Sequence, residues 1–270
     1  MQFGAALAPR IYPQVGAPGV VALRLAVAAV ALVALWRPGL RWSGRTWATV
    51  LAAGTLLAGH HLAFYEAVDR VPLGAVATVE FLAPFTIALV GARRVQDLLW
   101  AALAAAGVVL LGNGGVPLEA AGLALSAAAA CCWGGYILVS ARLARRVSGG
   151  QGLALAVAWG ALLSLPYGVA HAGSALLEPR VLAVAAVIAV LSSVLPYSCN
   201  LEALRRLPPR VFGVLTSLEP AAGAVFGLLL LGQHLAWPQW LGIAAVASAS
   251  IGATAVRRRR PSTSASGRGC

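Results

Sequence analysis

EAVDRVPLGAVATVEFLAP, residues 66–84, lines up without gaps on EALRRLPPRVFGVLTSLEP, residues 202–220. Glu66 falls on Glu202, Ala67 on Ala203, Arg70 on Arg206, Pro72 on Pro208 and Pro84 on Pro220. The offset is about half of a 270-residue chain, so the sequence carries an internal repeat. What each half contains follows from the composition around these stretches.

The chain is 60% hydrophobic, has mean hydropathy +0.84 and only 10% charged residues. A soluble domain carries about a quarter charged residues. Apolar runs recur along the whole chain, many near the roughly 20 residues that cross a bilayer as a helix. The strict alternation over about 10 residues that marks barrel strands is missing. The expected fold class is an all-α polytopic membrane protein. Breaks at Gly, Pro and arginine clusters place spans at about 17–36, 47–68, 72–92, 97–113, 119–140, 152–171, 181–203, 209–232 and 238–256, preceded by a short apolar fragment, 1–9. The tail from residue 257, RRRRPSTSASGRGC, has no apolar periodicity and is expected to be disordered.

A net charge of +12 suggests nucleic acid at first sight. The arginines, however, sit in short clusters between apolar runs, which is how membrane proteins fix orientation, so no nucleic-acid partner is expected. With the fragment counted as a tenth helix starting in the cytoplasm, 16 arginines fall inside: Arg37, Arg41, Arg45, Arg93, Arg94, Arg142, Arg145, Arg146, Arg205, Arg206, Arg210, Arg257 to Arg260 and Arg268. Only Arg10, Arg70 and Arg180 fall outside, and Arg24 lies within a span. The split predicts a multi-pass protein with its C-terminus in the cytoplasm. Each half then holds five spans. Five is odd, so the halves insert with opposite orientation, the arrangement of secondary transporters that bind substrate near the midplane between repeats. The expected division is 1–115, 116–256 and the tail 257–270. By the repeat, 132–150 corresponds to 1–17, and helix six begins well before Trp133. Its partner is therefore expected to begin roughly a dozen residues or more before Met1, with a start codon set too far downstream as the expected cause.

A charged side chain at the bilayer centre costs about 2.5–3.5 kcal/mol on insertion scales and persists where it faces a cavity. The candidates are Arg24, His60, His61, Glu80 and Glu219. At 1.5 Å per residue, Arg24 lies roughly 10 Å deep, Glu80, His60 and His61 roughly 12 Å, and Glu219 roughly 15 Å from the opposite face. Each has a plainer alternative. Arg24 and Glu80 can form a structural ion pair. Glu219, next to Pro220, can serve the backbone that the proline loosens. His60 and His61 differ by about 100° around a helix, so at most one is expected to face a cavity well; the other reading is a packing histidine. Tyr65, Tyr136, Tyr197 and Trp133 either line a pathway or belong to an interfacial belt. Glu66, Asp69 and Glu202 lie at span ends and are expected to be interfacial. Cys131, Cys132, Cys199 and Cys270 show no metal-ligand spacing and are expected as small core residues. No metal or other cofactor is expected. HExxH and GxSxG do not occur, and HHLAFYE lacks metalloprotease spacing, which argues against an enzyme.

Together with GAPGVVALRL (16–25), CCWGGYILVSAR, LSSVLPYS and LPPRVFGVLTSLEPAAGAVFGLLLLGQ, the repeat makes the chain resemble the drug/metabolite transporter superfamily, and within it the EamA-type exporters of the threonine/homoserine kind. The resemblance covers nearly the whole chain. It implies ten helices in two inverted five-helix repeats, both termini in the cytoplasm, and outward movement of small metabolites, commonly amino acids, driven by protons across the inner (plasma) membrane. The implied partners are a small-molecule substrate, protons and the lipid bilayer. A zwitterion needs a cation for its carboxylate and an anion for its ammonium. Arg24, Glu80, Glu219, His60, Tyr65, Tyr136 and Tyr197 are therefore the expected substrate-binding residues, with Glu80 and Glu219 as proton-coupling residues. The alternatives are a multidrug or other metabolite exporter and, from another class, a non-transporting scaffold or receptor.

Overall fold

The computed structural model describes residues 1–89, 95–112, 118–199 and 218–256. Arg93, Arg94, Glu202, Arg205, Arg206, Arg210, most of the second repeat copy, Cys270 and the tail lie outside the described residues. Among the described residues there are α-helices and short 3₁₀ and π turns, and no strand.

The helices are α1 (Gln2–Leu7), α2 (Tyr12–Trp36), α3 (Gly44–Val68), α4 (Leu73–Leu89), α5 (Val95–Gly112), α6 (Ala120–Ala144), α7 (Gln151–Ala172), α8 (Pro179–Ala189), α9 (Glu219–Leu231) and α10 (Trp237–Val256). Where predicted span ends are described, they agree to within a few residues. Five helical stretches among the described residues are long and apolar enough to cross a bilayer: Gln2–Trp36, Gly44–Val68, Ala120–Ala144, Gln151–Leu177 and Pro179–Cys199.

Local chemistry sets the breaks. Gly16 at φ 62° kinks the first run, which glycine tolerates without a Cβ clash, and Pro18 then sits in the turn where its missing N–H costs least. Arg37 ends α2 in the left-handed conformation, and Pro38 cannot continue it. Ser43 opens α3 by accepting from the N–H of Thr46. Gln233, in the loop after α9, reaches back to accept the N–H of Leu73 at 3.0 Å, so the orphan donor at the head of α4 is met from the other half of the chain. After Ala189 the α8 helix widens into a π turn, Val190–Val194, and continues to residue 199.

Packing partners fall into a pattern. Helices α2 and α7 pack together, as do α4 and α9, and α5 and α10. The contact of α3 with α6 has its counterpart in α8 with α1, that of α3 with α7 in α8 with α2, and that of α4 with α6 in α9 with α1. Lipid tails give helices no hydrophobic reason to associate, so close contact rests on small residues. At Gly74, a β-carbon would lie 2.8 Å from the backbone Cα and the Cβ of Ala224. That gap lets α4 and α9, which carry Glu80 and Glu219, meet at backbone distance. Val30, Leu99, Leu162 and Leu229 are exposed on the outer helix faces, which suits lipid and not water.

One expectation is corrected here. Cys131 and Cys199 are exposed and Cys132 is half-buried, all as free thiols. Cys131 and Cys199 turn outward and do not fill the core, whereas the Cys132 thiol lies beside Gly59 of α3.

Candidate functional site

A cavity of about 410 Å³, its open mouth included, lies between the helices. Its wall takes Met1 just before α1, Gln2 and Ala5 from α1, Arg24 from α2, His60, His61 and Phe64 from α3, Glu80 from α4, Trp133 from α6, Ser192 and Tyr197 from the α8 stretch, and Glu219 from α9. Five of the seven predicted binding residues therefore line it: Arg24, His60, Glu80, Tyr197 and Glu219. The other two stand directly behind. Tyr65 is fully buried and receives a hydrogen bond from Arg24. Tyr136 stacks on Trp133, with ring centroids 5.2 Å apart and planes 19° apart. The buried Tyr65 and Tyr197 are not belt residues.

Arg24 is buried, and its guanidinium is nearly saturated. Nε donates to Ser193 Oγ at 2.9 Å, Nη1 to the Tyr65 hydroxyl at 2.9 Å and to His61 Nδ1 at 3.4 Å, and Nη2 to the Ser192 carbonyl at 2.8 Å. The guanidinium also lies over the Tyr65 ring, 5.4 Å from its centroid. Of five N–H groups in a fixed fork, one on Nη2 is left. The π turn of α8 presents both serine partners, in keeping with the frequent use of such turns at functional sites. Arg24 thus ties α2 to α3 and α8. The Arg24–Glu80 ion pair, the plainer alternative for these two residues, does not form, because serine, tyrosine and histidine have taken the guanidinium.

Glu80 instead faces His60: Oε1 is 3.3 Å from Nε2, and the Glu80 side chain keeps 14% exposure. The other ring nitrogen of His60, Nδ1, lies 3.3 Å from the Ala129 carbonyl. A carbonyl only accepts, so Nδ1 carries a hydrogen. The His61 ring is fixed the opposite way. Its Nδ1 accepts from Arg24, so Nε2 carries the hydrogen and donates to the Tyr197 hydroxyl 3.5 Å away. The two imidazoles touch at 4.8 Å between centroids. Both line the cavity, contrary to the expectation that only one would. The reason is that the cavity curves around the inner face of α3: His60 leans toward α4 and α6, and His61 toward α2 and α8.

Sequence reasoning did not single out Gln2, Phe64, Ser192 or Ser193. The signal for the serines was present, an adjacent polar pair inside an apolar span. Gln2 is buried, and its Oε1 has no hydrogen-bond partner. A buried acceptor left open at a cavity wall fits a donor brought by a ligand. Glu66 and Asp69 are at the end of α3 as expected, with Glu66 Oε2 2.8 Å from Arg70 Nη1. Among the described residues no cluster of three or more metal-ligating side chains occurs.

Residues 120–255 match the EamA-like transporter family. The chain is also 39% identical over 265 residues to the threonine/homoserine exporter RhtA of Salmonella typhimurium LT2, covering 97% of this chain and 90% of that protein. It is 39% identical over 263 residues to the exporter of the same name from Escherichia coli K12, covering 96% of this chain and 89% of that one. The chain belongs to the EamA-like transporter family. A solved crystal structure 23% identical to it shares the fold, with TM-score 0.57 over 96% of this chain and 95% of its own. As an EamA transporter of the drug/metabolite superfamily, the chain is a multi-pass inner-membrane protein and not an enzyme. Its close-packed apolar helices and polar cavity suit that class.

Proposed function

We propose that this EamA transporter exports small amino acids of the threonine/homoserine kind in exchange for protons. The observation that carries the reading is convergence. Arg24, Glu80 and Glu219 come from three different helices and line one cavity with His60, His61 and Tyr197, in a chain 39% identical to threonine/homoserine exporters over nearly its whole length. Burying three ionisable groups in a membrane protein is costly, and a function is the ordinary reason for keeping them.

In this mechanism the substrate ammonium approaches the carboxylates of Glu80 and Glu219, and its carboxylate takes the remaining Nη2–H of Arg24. A single N–H makes a weaker clamp than a bidentate fork, which suits a carrier that must also release its cargo. Tyr136 supports Trp133 at the wall, and Tyr65 holds Arg24 in place. Proton and ammonium compete for the same carboxylate. Facing the cytoplasm, the incoming ammonium displaces the proton inward. Facing outward, a proton displaces the amino acid.

Alternating access comes from two inverted five-helix repeats, 1–115 and 116–256, rocking about the cavity. Two things support this: the alignment of 66–84 on 202–220 and the paired packing of α3·α6 with α8·α1, and of α4·α6 with α9·α1. The arginine distribution supports a cytoplasmic C-terminus.

The test is efflux from an inner-membrane overexpression strain preloaded with labelled amino acids. Threonine and homoserine are expected to leave faster than from the empty-vector strain and to become less toxic. Equal rates in both strains, with drugs or other metabolites exported instead, would overturn the reading.

A further inference from the structure

We propose that the coupling proton is held jointly by His60 and Glu80, and that Glu219 faces the substrate without carrying it. This rests on the export reading above and assigns the proton within it. Three geometric facts argue for the pair. The Ala129 carbonyl fixes a hydrogen on His60 Nδ1. That leaves Nε2, 3.3 Å from Glu80 Oε1, with one proton to share across the gap. The Trp133 ring packs against the imidazole, 5.0 Å between centroids and tilted by 35°, so the imidazole cannot swing away without losing that contact. In one state the proton sits on Nε2 beside a carboxylate; in the other it sits on the carboxyl and is donated to Nε2. Either way the pair holds one proton, the same charge and the same hydrogen bond.

The neighbours set His60 apart from the other candidates. His61 has both ring nitrogens committed, to Arg24 and Tyr197, so no lone pair is free for a proton. The Arg24 guanidinium offers only donors. Among the described residues, Tyr197 from the α8 stretch, Glu219 from α9 and Met1 in front of α1 line the same cavity, and α6 contributes the Ala129 carbonyl, Trp133 and, behind it, Tyr136. Among the described residues, no cavity-lining residue comes from α5 or α10. Glu219 touches none of the imidazole nitrogens. When a substrate ammonium pairs with Glu80, the proton leaves to the water on the open side. When the amino acid departs, a proton from that side restores the pair, so one positive charge is exchanged for another.

The test follows protonation directly. Dicyclohexylcarbodiimide modifies protonated carboxyls in apolar surroundings, and mass spectrometry of the full purified chain in nanodiscs gives the extent at Glu80 and at Glu219 across a pH series. Two variants remove the titrating ring in opposite ways. His60→Asn keeps a donor for Ala129 and withdraws the atom facing Glu80, whereas His60→Gln keeps a polar atom toward Glu80. The pair predicts that the Glu80 midpoint moves by about one pH unit or more in both while the Glu219 midpoint stays. Unmoved Glu80 midpoints in both variants, each monodisperse, would overturn it. A parallel arm in liposomes separates the two readings. Both variants are expected to lose far more of the accumulation driven by a pH gradient than of the threonine exchange measured without one. A wild-type protein that exchanges neither threonine nor homoserine overturns the export reading, and the carbodiimide midpoints still decide the pair.

Discussion

The Tyr197 hydroxyl meets Nε2 of His61 at 3.5 Å, and the two residues are 136 positions apart. That is the offset which aligns 66–84 on 202–220, so under the proposed inverted repeat His61 and Tyr197 would hold corresponding places, and they meet at the cavity. A repeat inserted in opposite orientations would bring corresponding positions together near its axis. One position offers an imidazole, the other a phenol, and the imidazole is held by Arg24.

Arg24 is expected to be a structural clamp as much as a substrate ligand. Arg24→Lys replaces a four-bond fork with a point charge, and Arg24→Ala leaves Ser193, Tyr65 and the Ser192 carbonyl unpaired. Hydrogen bonds to charged groups are worth about 1.5–3 kcal/mol each. Both variants should therefore unfold at lower temperature in detergent, with a loss of about 3 kcal/mol or more for the alanine, and neither should transport.

The surface carboxylate Glu66 makes the contrast. Its pair with Arg70 is partly exposed, and such pairs contribute about 0–1 kcal/mol. Glu66→Gln should leave threonine export intact and barely change thermal unfolding, although Glu66 aligns with Glu202 in the repeat.

Gln2 is expected to select for hydroxyl-bearing substrates, since its open, buried acceptor fits a donor on the amino acid side chain. Gln2→Leu keeps the volume and removes the acceptor. KM for threonine and homoserine should rise roughly five- to tenfold, the worth of one hydrogen bond, while KM for alanine, measured by counterflow, should stay nearly constant.

The α4–α9 contact depends on Gly74. Placing a β-carbon 2.8 Å from Ala224 forces the helices apart at a cost of about 1–3 kcal/mol. Gly74→Val should lower thermal stability and weaken binding at Glu80 and Glu219 together, with Gly39→Ala, where nothing lies within 4 Å, as the unaffected comparison.

Much of this was legible in the residues. Apolar run length located the spans, and buried charge located the cavity wall: Arg24, Glu80 and Glu219 were found because charge inside a membrane is rare. Pairing was not legible. Arg24 and Glu80 sit at one estimated depth, which suggested an ion pair, but depth along a helix does not fix direction around it, and Ser193, Tyr65 and the carbonyl exposed by the π turn reached the guanidinium first. The His60–Glu80 partnership depends on the rotation of α3 against α4, for which two adjacent histidines give no periodic signal. Gln2 was missed because an uncharged amide near a chain end carries no penalty visible in sequence.

The most direct test of the account is pH-driven threonine flux through Glu80→Gln in liposomes. The purified wild type should move labelled threonine against its concentration when a proton gradient is imposed. Glu80→Gln should retain at most passive movement, with the imposed gradient changing its rate no more than it changes that of protein-free liposomes. Undiminished proton-driven accumulation by Glu80→Gln would contradict the account.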